Sequence, residues 1–132
     1  MLNSEIMENV MTDKTTTVES LRDMMRGFVS EREWGRYHVP KNLTAALVVE
    51  AGELLELFQW LTPEEAMARC CNDAAFKKAV GEEMADVLMY LLSLANAIDL
   101  DVAAAVEGKM EKNRRKYPAE QFKGEYERPL AE

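Results

Sequence analysis

Two helix-period rows of apolar residues, each broken once by a carboxylate, restrict this chain more than any other feature. From Leu43, steps of three or four give Leu43, Leu47, Glu50, Leu54, Leu57 and Leu61. From Phe76 the same steps give Phe76, Val80, Glu83, Val87, Tyr90 and Leu94. Rows of that period form the inward stripe of an amphipathic helix, so both segments must pack against other helices. In each row a second acid follows three residues on: Glu53 after Glu50, and Asp86 after Glu83. E-x-x-E and E-x-x-D thus fall on faces that ought to be apolar.

Residues three apart on a helix are neighbours, with Cβ atoms roughly 5–6 Å apart. Two helices packed about 8–10 Å apart can then bring all four carboxylates to one point. Alone and buried, such a cluster is driven to take up protons. A divalent cation resolves the conflict, and all-oxygen ligands suit Mg²⁺, with Mn²⁺ the alternative, rather than zinc. Acid pairs at this spacing are also common on solvated faces, and 24 Asp and Glu residues offer many chances. The position of both pairs inside apolar rows favours the metal. A ferritin-like di-iron site needs Glu-x-x-His on two helices. With His38 as its one histidine, this chain cannot supply it.

The remaining punctuation marks out an all-α protein. Residues 1–15 read as a polar leader. Thr16 and Glu19 stand at capping-box spacing before a helix carrying Leu21, Met24, Met25, Phe28 and Val29 towards Trp34. The stretch from Tyr37 to Pro40 breaks the pattern, and a second helix is expected from about Asn42 to Leu61. Thr62, Pro63, Glu64 and Glu65 are a restart signal for a short third helix. Asn72 or Asp73 caps a long fourth helix to about Ile98, and a fifth runs from Asp101 to about Lys116. After Tyr117-Pro118, residues 119–132 read as a polar, extended tail. The expectation is one domain over residues 16–118: a bundle of four main helices plus one short one.

A net charge of −8 argues against nucleic-acid or anionic-membrane partners. It leaves room for an anionic substrate, because bound cations invert the local field. The longest strongly apolar run, residues 87–97, is too short to span a bilayer. The two cysteines, Cys70 and Cys71, are adjacent and poorly placed for an ordinary structural disulfide. A cytoplasmic protein is expected.

The order of motifs then becomes recognisable. Glu31-Arg32-Glu33-Trp34 leads into Tyr37-His38-Val39-Pro40-Lys41-Asn42-Leu43; next come residues 46–54 around the first acid pair and Leu57-Phe58-Gln59-Trp60. Residues 82–91 follow around the second pair, and 109–118 close the series. From about Phe28 to Pro118 the chain resembles the all-α MazG-type nucleoside triphosphate pyrophosphohydrolases, most closely the single-domain dCTP pyrophosphatase branch. Larger MazG-type motifs often carry a further Glu directly before the first metal Glu; Val49 stands there instead, as in that branch.

The resemblance implies a four-helix-bundle-like MazG fold with one extra short helix. It also implies a Mg²⁺ site at Glu50, Glu53, Glu83 and Asp86, and cleavage of a nucleoside triphosphate to the monophosphate and pyrophosphate. Glu53 or Glu50 would orient or deprotonate the attacking water. Lys109, Asn113 and Lys116 share one side of the fifth helix, and Lys109 and Arg114 would meet the outer phosphates. For Lys112 and Arg115, complementing the helix dipole is explanation enough. Trp34, His38, Trp60 and Tyr90 are candidates for the base pocket, since aromatic rings stack bases. Asn42 could read a pyrimidine edge or serve a turn or N-cap.

The expected substrate is dCTP or a modified pyrimidine dNTP, with dUTP or a broad range of NTPs as the alternative. From a different class, a non-catalytic helical oligomerisation or regulatory module is also considered. A bundle with such a cavity has little core left over, so a homo-oligomer is expected. The resemblance implies a tetramer built as a dimer of dimers.

Overall fold

The computed structural model describes residues 10–125, so the first nine residues of the expected leader and residues 126–132 of the expected tail lie outside the described part. Among the described residues every regular element is helical: α1 (Val18–Glu31), α2 (Pro40–Glu56), α3 (Pro63–Asn72), α4 (Ala74–Ala97), α5 (Val102–Lys116) and α6 (Ala119–Phe122). The chain forms two compact units, one ending at Asp99 and the other beginning at Leu100.

In the first unit α4 is the central helix, packing against α2, α1 and α3. Its long row from Phe76 to Leu94 and the α2 row from Leu43 to Leu61 are buried or half-buried at every position. Both rows therefore face inward, acids included. Leu43 (2% exposed), Phe76, Leu92 and Ala95 are the buried apolar side chains among the described residues. Each large one contributes roughly 1.5–3 kcal/mol by leaving water. The Phe58 and Phe76 rings meet edge-to-face at 5.5 Å, tying the end of α2 to the start of α4.

Local chemistry sets the boundaries. Thr17, not Thr16, caps α1, its hydroxyl accepting from the Ser20 N–H at 3.1 Å. The expected cap at Thr16 is thus displaced by one residue, and with Ser20 in place of an acid at the third helical position no capping box forms with Glu19. A full capping box appears at α3 instead, where Thr62 and Glu65 satisfy each other's backbone N–H groups at 3.1 and 2.9 Å. Helix α2 starts two residues earlier than expected, with Val39 at the N-cap and Pro40 in the first turn, and it ends at Glu56. Residues 57–60 are turns rather than helix. Asp73 caps α4 and Asp101 caps α5 through their carboxylates.

The end of α1 is closed by a left-handed residue. Glu33 adopts φ 54°. Its N–H donates to the Ser30 carbonyl and that of Trp34 to the Val29 carbonyl, both at 3.0 Å. This is a Schellman closure, usually made with glycine. It turns Trp34 back onto Phe28, the rings meeting edge-to-face at 5.8 Å. At the other end, Arg22 on α1 and Asn96 on α4 clamp each other. Arg22 Nε donates to Asn96 Oδ1 at 2.9 Å, and Asn96 Nδ2 returns a bond to the Arg22 carbonyl at 3.0 Å.

In the second unit, α5 carries Arg114, Arg115 and Lys116 in its last turn, where they complement the helix dipole. The residues following Pro118, expected to be extended, include the single turn α6. Phe122 from that turn packs edge-to-face on Tyr117 at 5.3 Å.

Candidate active site

Packing α2 on α4 brings the two interrupted rows together. Carboxylate oxygens of Glu50, Glu83 and Asp86 all lie within 4.8 Å of one another, and all three residues are half-buried. The acids belong to the packed face because their rows do: Glu50 follows Leu47 and precedes Leu54, while Glu83 follows Val80 and precedes Val87.

Electrostatics show how unwelcome these charges are without a counter-ion. Glu50 lies above the usual carboxylate range, first because a proton on it can be shared with Glu53, then through burial and repulsion from Glu53, Asp86 and Glu83. Glu83 is also raised, first by burial and then by repulsion from Glu53, Asp86, Glu82 and Glu56. Its Oε2 is buried and has no hydrogen-bond partner. Buried polar atoms are ordinarily paired, and a bound cation would satisfy this oxygen. Glu53 is exposed and stands outside the close trio, yet it acts electrostatically on both Glu50 and Glu83. The donors are all hard oxygens, a set that fits Mg²⁺ or Mn²⁺.

The aromatic candidates fall into two groups. The His38 ring stacks on Trp34 (14° between planes, centroids 6.5 Å apart), and His38 Nδ1 donates to the Trp34 carbonyl at 3.1 Å. In neutral His38 the remaining nitrogen, Nε2, is an acceptor. His38 lines a cavity of about 410 Å³ whose walls come from α1 (Met25, Arg26, Val29, Ser30), the following loop (Gly35) and α4 (Ser93, Asn96, Ala97). Tyr90 is half-buried on the α4 row, one turn before Ser93. Trp60 behaves differently: it is 86% exposed and does not line this cavity. The N-cap alternative for Asn42 fails, because Val39 caps α2; the Asn42 amide instead donates to the Tyr37 carbonyl at 3.3 Å, a turn role.

The cationic candidates lie on α5, in the second unit. Lys109 is exposed and Asn113 half-buried. Arg114 reaches Glu111 at 3.7 Å, sharing that acid with Arg115 at 3.1 Å. The Lys116 ammonium sits 5.5 Å over the Tyr117 ring.

Sequence reading passed over Ser93 and the Arg22–Asn96 clamp. The signal was present, since Ser93 and Asn96 are polar residues inside the apolar run 87–97. It has the same form as the acids that interrupt the two rows.

Residues 45–128 match the MazG-like family. The chain is similar to dCTP pyrophosphatase 1 of Homo sapiens, 45% identical over 103 residues, which are 78% of this chain and 60% of that protein. It is similar to the Bos taurus protein of the same name, 42% identical over 108 residues, 82% of this chain and 63% of that one. It therefore spans about three-fifths of the length of these curated relatives. Among solved structures it is similar to a pyrophosphatase from Archaeoglobus fulgidus, with TM-score 0.72 and 41% identity, covering 83% of this chain and 99% of that one. With an all-α fold, two acid pairs on facing helices and these matches, the chain belongs to the MazG-like family.

Proposed function

We propose that this protein is a Mg²⁺-dependent nucleoside triphosphate pyrophosphohydrolase, acting on dCTP or a modified pyrimidine dNTP. The observation that carries the reading is the trio of carboxylates from Glu50, Glu83 and Asp86 within 4.8 Å on facing rows of α2 and α4. The names of the similar mammalian proteins support the substrate class. The hydrolase domain is taken as residues 16–118.

Glu50, Glu83 and Asp86 would hold the cation, with Glu53 completing the set. A bound Mg²⁺ would neutralise polyphosphate charge and acidify water at the site. Glu53 is the exposed acid of the four, so the cation would not use it fully and one of its oxygens could orient a water or take its proton; Glu50, whose proton it can share, is the alternative base. The water oxygen bonds to the α-phosphorus, the bond from that phosphorus to the bridging oxygen breaks, and pyrophosphate leaves. Lys109, Asn113, Arg114 and Lys116 are assigned to the outgoing phosphates. The stacked Trp34–His38 pair, with Tyr90 and Asn42, is assigned to the base.

We further read the working form as a homo-oligomer, a tetramer in the fullest version. Val48, Val49, Leu55, Met84 and Leu91 are all more than two-fifths exposed along α2 and α4, which are the helices carrying the acids. Such surface calls for a partner. Trp60, bare in a single chain, is then free to cover a nucleotide held by a neighbouring copy. A cytoplasmic location fits this substrate, and among the described residues no single helix is long and apolar enough to cross a membrane.

The test is pyrophosphate release by the wild type, Glu53→Gln and Glu83→Gln. The expected result is loss of turnover in both variants, with helical content and oligomeric state kept. Wild-type rates in Glu53→Gln would remove that residue from the mechanism; wild-type rates in Glu83→Gln would remove the metal site.

A further inference from the structure

The wall of the cavity between α1 and α4 includes a serine whose hydroxyl the fold leaves unpaired. Ser93 is 5% exposed, and its Oγ is buried without a hydrogen-bond partner. Such a group weakens the fold, and an alanine would pack there without that cost. The residue belongs to the cavity wall, as do Met25 and Val29 of α1 and His38.

Its register relates it to the acids. Ser93 follows Asp86 by seven residues, two turns of α4, so both lie on nearly the same side of the helix. At 1.5 Å per residue they are separated by about 10 Å along the axis. That is the reach of a nucleoside from its 5′ phosphorus to the far edge of the base. A triphosphate held at Glu83 and Asp86 can thus lay its base along α4 into this cavity. Met25, Val29 and Ala97 offer apolar walls for a flat ring. The polar groups available to the ring's edge are a hydroxyl that both donates and accepts, which a turn about the Ser93 χ1 would bring from its buried position to the cavity, and a histidine whose Nδ1 is already committed to the Trp34 carbonyl.

We propose that Ser93 is a substrate-recognition residue, its hydroxyl hydrogen-bonding the polar edge of a pyrimidine base seated between α1 and α4. This rests on the nucleotide-hydrolase reading above and adds to it a base contact that the sequence did not single out.

The experiment compares wild type and Ser93→Ala with two probes: dCTP, and inorganic tripolyphosphate, which has phosphates and no base. Equilibrium dissociation constants are measured by calorimetry in the presence of Ca²⁺, alongside kcat/KM for dCTP in Mg²⁺. Loss of one neutral hydrogen bond predicts about 3- to 10-fold weaker dCTP binding and a matching fall in kcat/KM. Tripolyphosphate binding is expected to stay unchanged, and the melting temperature of the ligand-free variant to stay level or rise. Unchanged dCTP binding, an equal loss for both probes, or a lower melting temperature would each overturn the proposal. If the wild type releases no pyrophosphate, the hydrolase reading fails, while the two dissociation constants still decide the role of Ser93.

Discussion

Replacing Asn96 with alanine breaks the clamp that holds α1 to α4, and the structure sets the size of the effect. Two bonds go: the charge-assisted one from Arg22 Nε at 2.9 Å and the neutral one to the Arg22 carbonyl at 3.0 Å. The first kind contributes about 1.5–3 kcal/mol and the second about 0.5–1.5 kcal/mol. Both residues are half-buried, so water recovers part of the loss, and the guanidinium keeps its 3.2 Å bond to the Ala95 carbonyl. A net loss of about 2–3 kcal/mol remains, or about 10 °C in melting temperature for a chain of this size. Urea unfolding followed by circular dichroism should show a lower midpoint at unchanged slope. Because α1 and α4 wall the cavity, the KM for dCTP should rise as well, while stabilisation by Mg²⁺ persists. A stability loss under about 0.5 kcal/mol would show that the clamp is ornamental and that apolar contact alone seats α1.

Four further outcomes follow from the same structure. Mg²⁺ at a hundredfold excess over its dissociation constant should stabilise the wild type by about 2.7 kcal/mol; Glu83→Gln should lose this response in a thermal melt. In metal-free protein, Glu50 and Glu83 are raised above the ordinary value of 4.5, so the folded state holds protons more tightly than the unfolded one. Their contribution to stability therefore falls as pH rises from about 4.5 through the raised values, and Glu83→Gln should flatten that part of an unfolding midpoint–pH curve. Leu43→Ala, at a site 2% exposed, should cost about 3 kcal/mol in the same denaturation assay. Glu33→Gly should stabilise the protein by about 1 kcal/mol by relieving the left-handed backbone at φ 54°.

The parts of the molecule governed by period and by capping chemistry were readable in advance. Rows of Leu, Val and Phe at steps of three and four announce α2 and α4, and the same rows face inward in the folded unit. Thr62-Pro63 and Asp101 announce helix starts because an oxygen acceptor ahead of the first turn is a local matter. Helix ends were less legible. Glu33 occupies the position where glycine usually announces a Schellman closure, so nothing local marked Glu31 as the last residue of α1. The end of α2 was missed because Leu57 and Leu61 stay on the apolar row after the backbone has left the helix.

The candidate site divides along the same line. Acids inside an apolar row stand out in the sequence, since each contradicts its neighbours; this much is legible there. That Glu53 stands outside the close trio is not, because it depends on where α4 crosses α2. Ser93 escaped notice because a single serine in an apolar helix is unremarkable until its hydroxyl is found buried and unpaired. Trp60 shows the reverse: it lies beside a row that carries one of the clustered acids, yet its ring is almost wholly in solvent.

The most direct test of the central claim is hydrolysis of dCTP in ¹⁸O-labelled water, with and without Mg²⁺, reading both products by mass spectrometry. The account predicts pyrophosphate and dCMP only when Mg²⁺ is present, with the label carried by dCMP, as attack at the α-phosphorus requires. Label in pyrophosphate, release of single phosphates, or no turnover with metal supplied would contradict it.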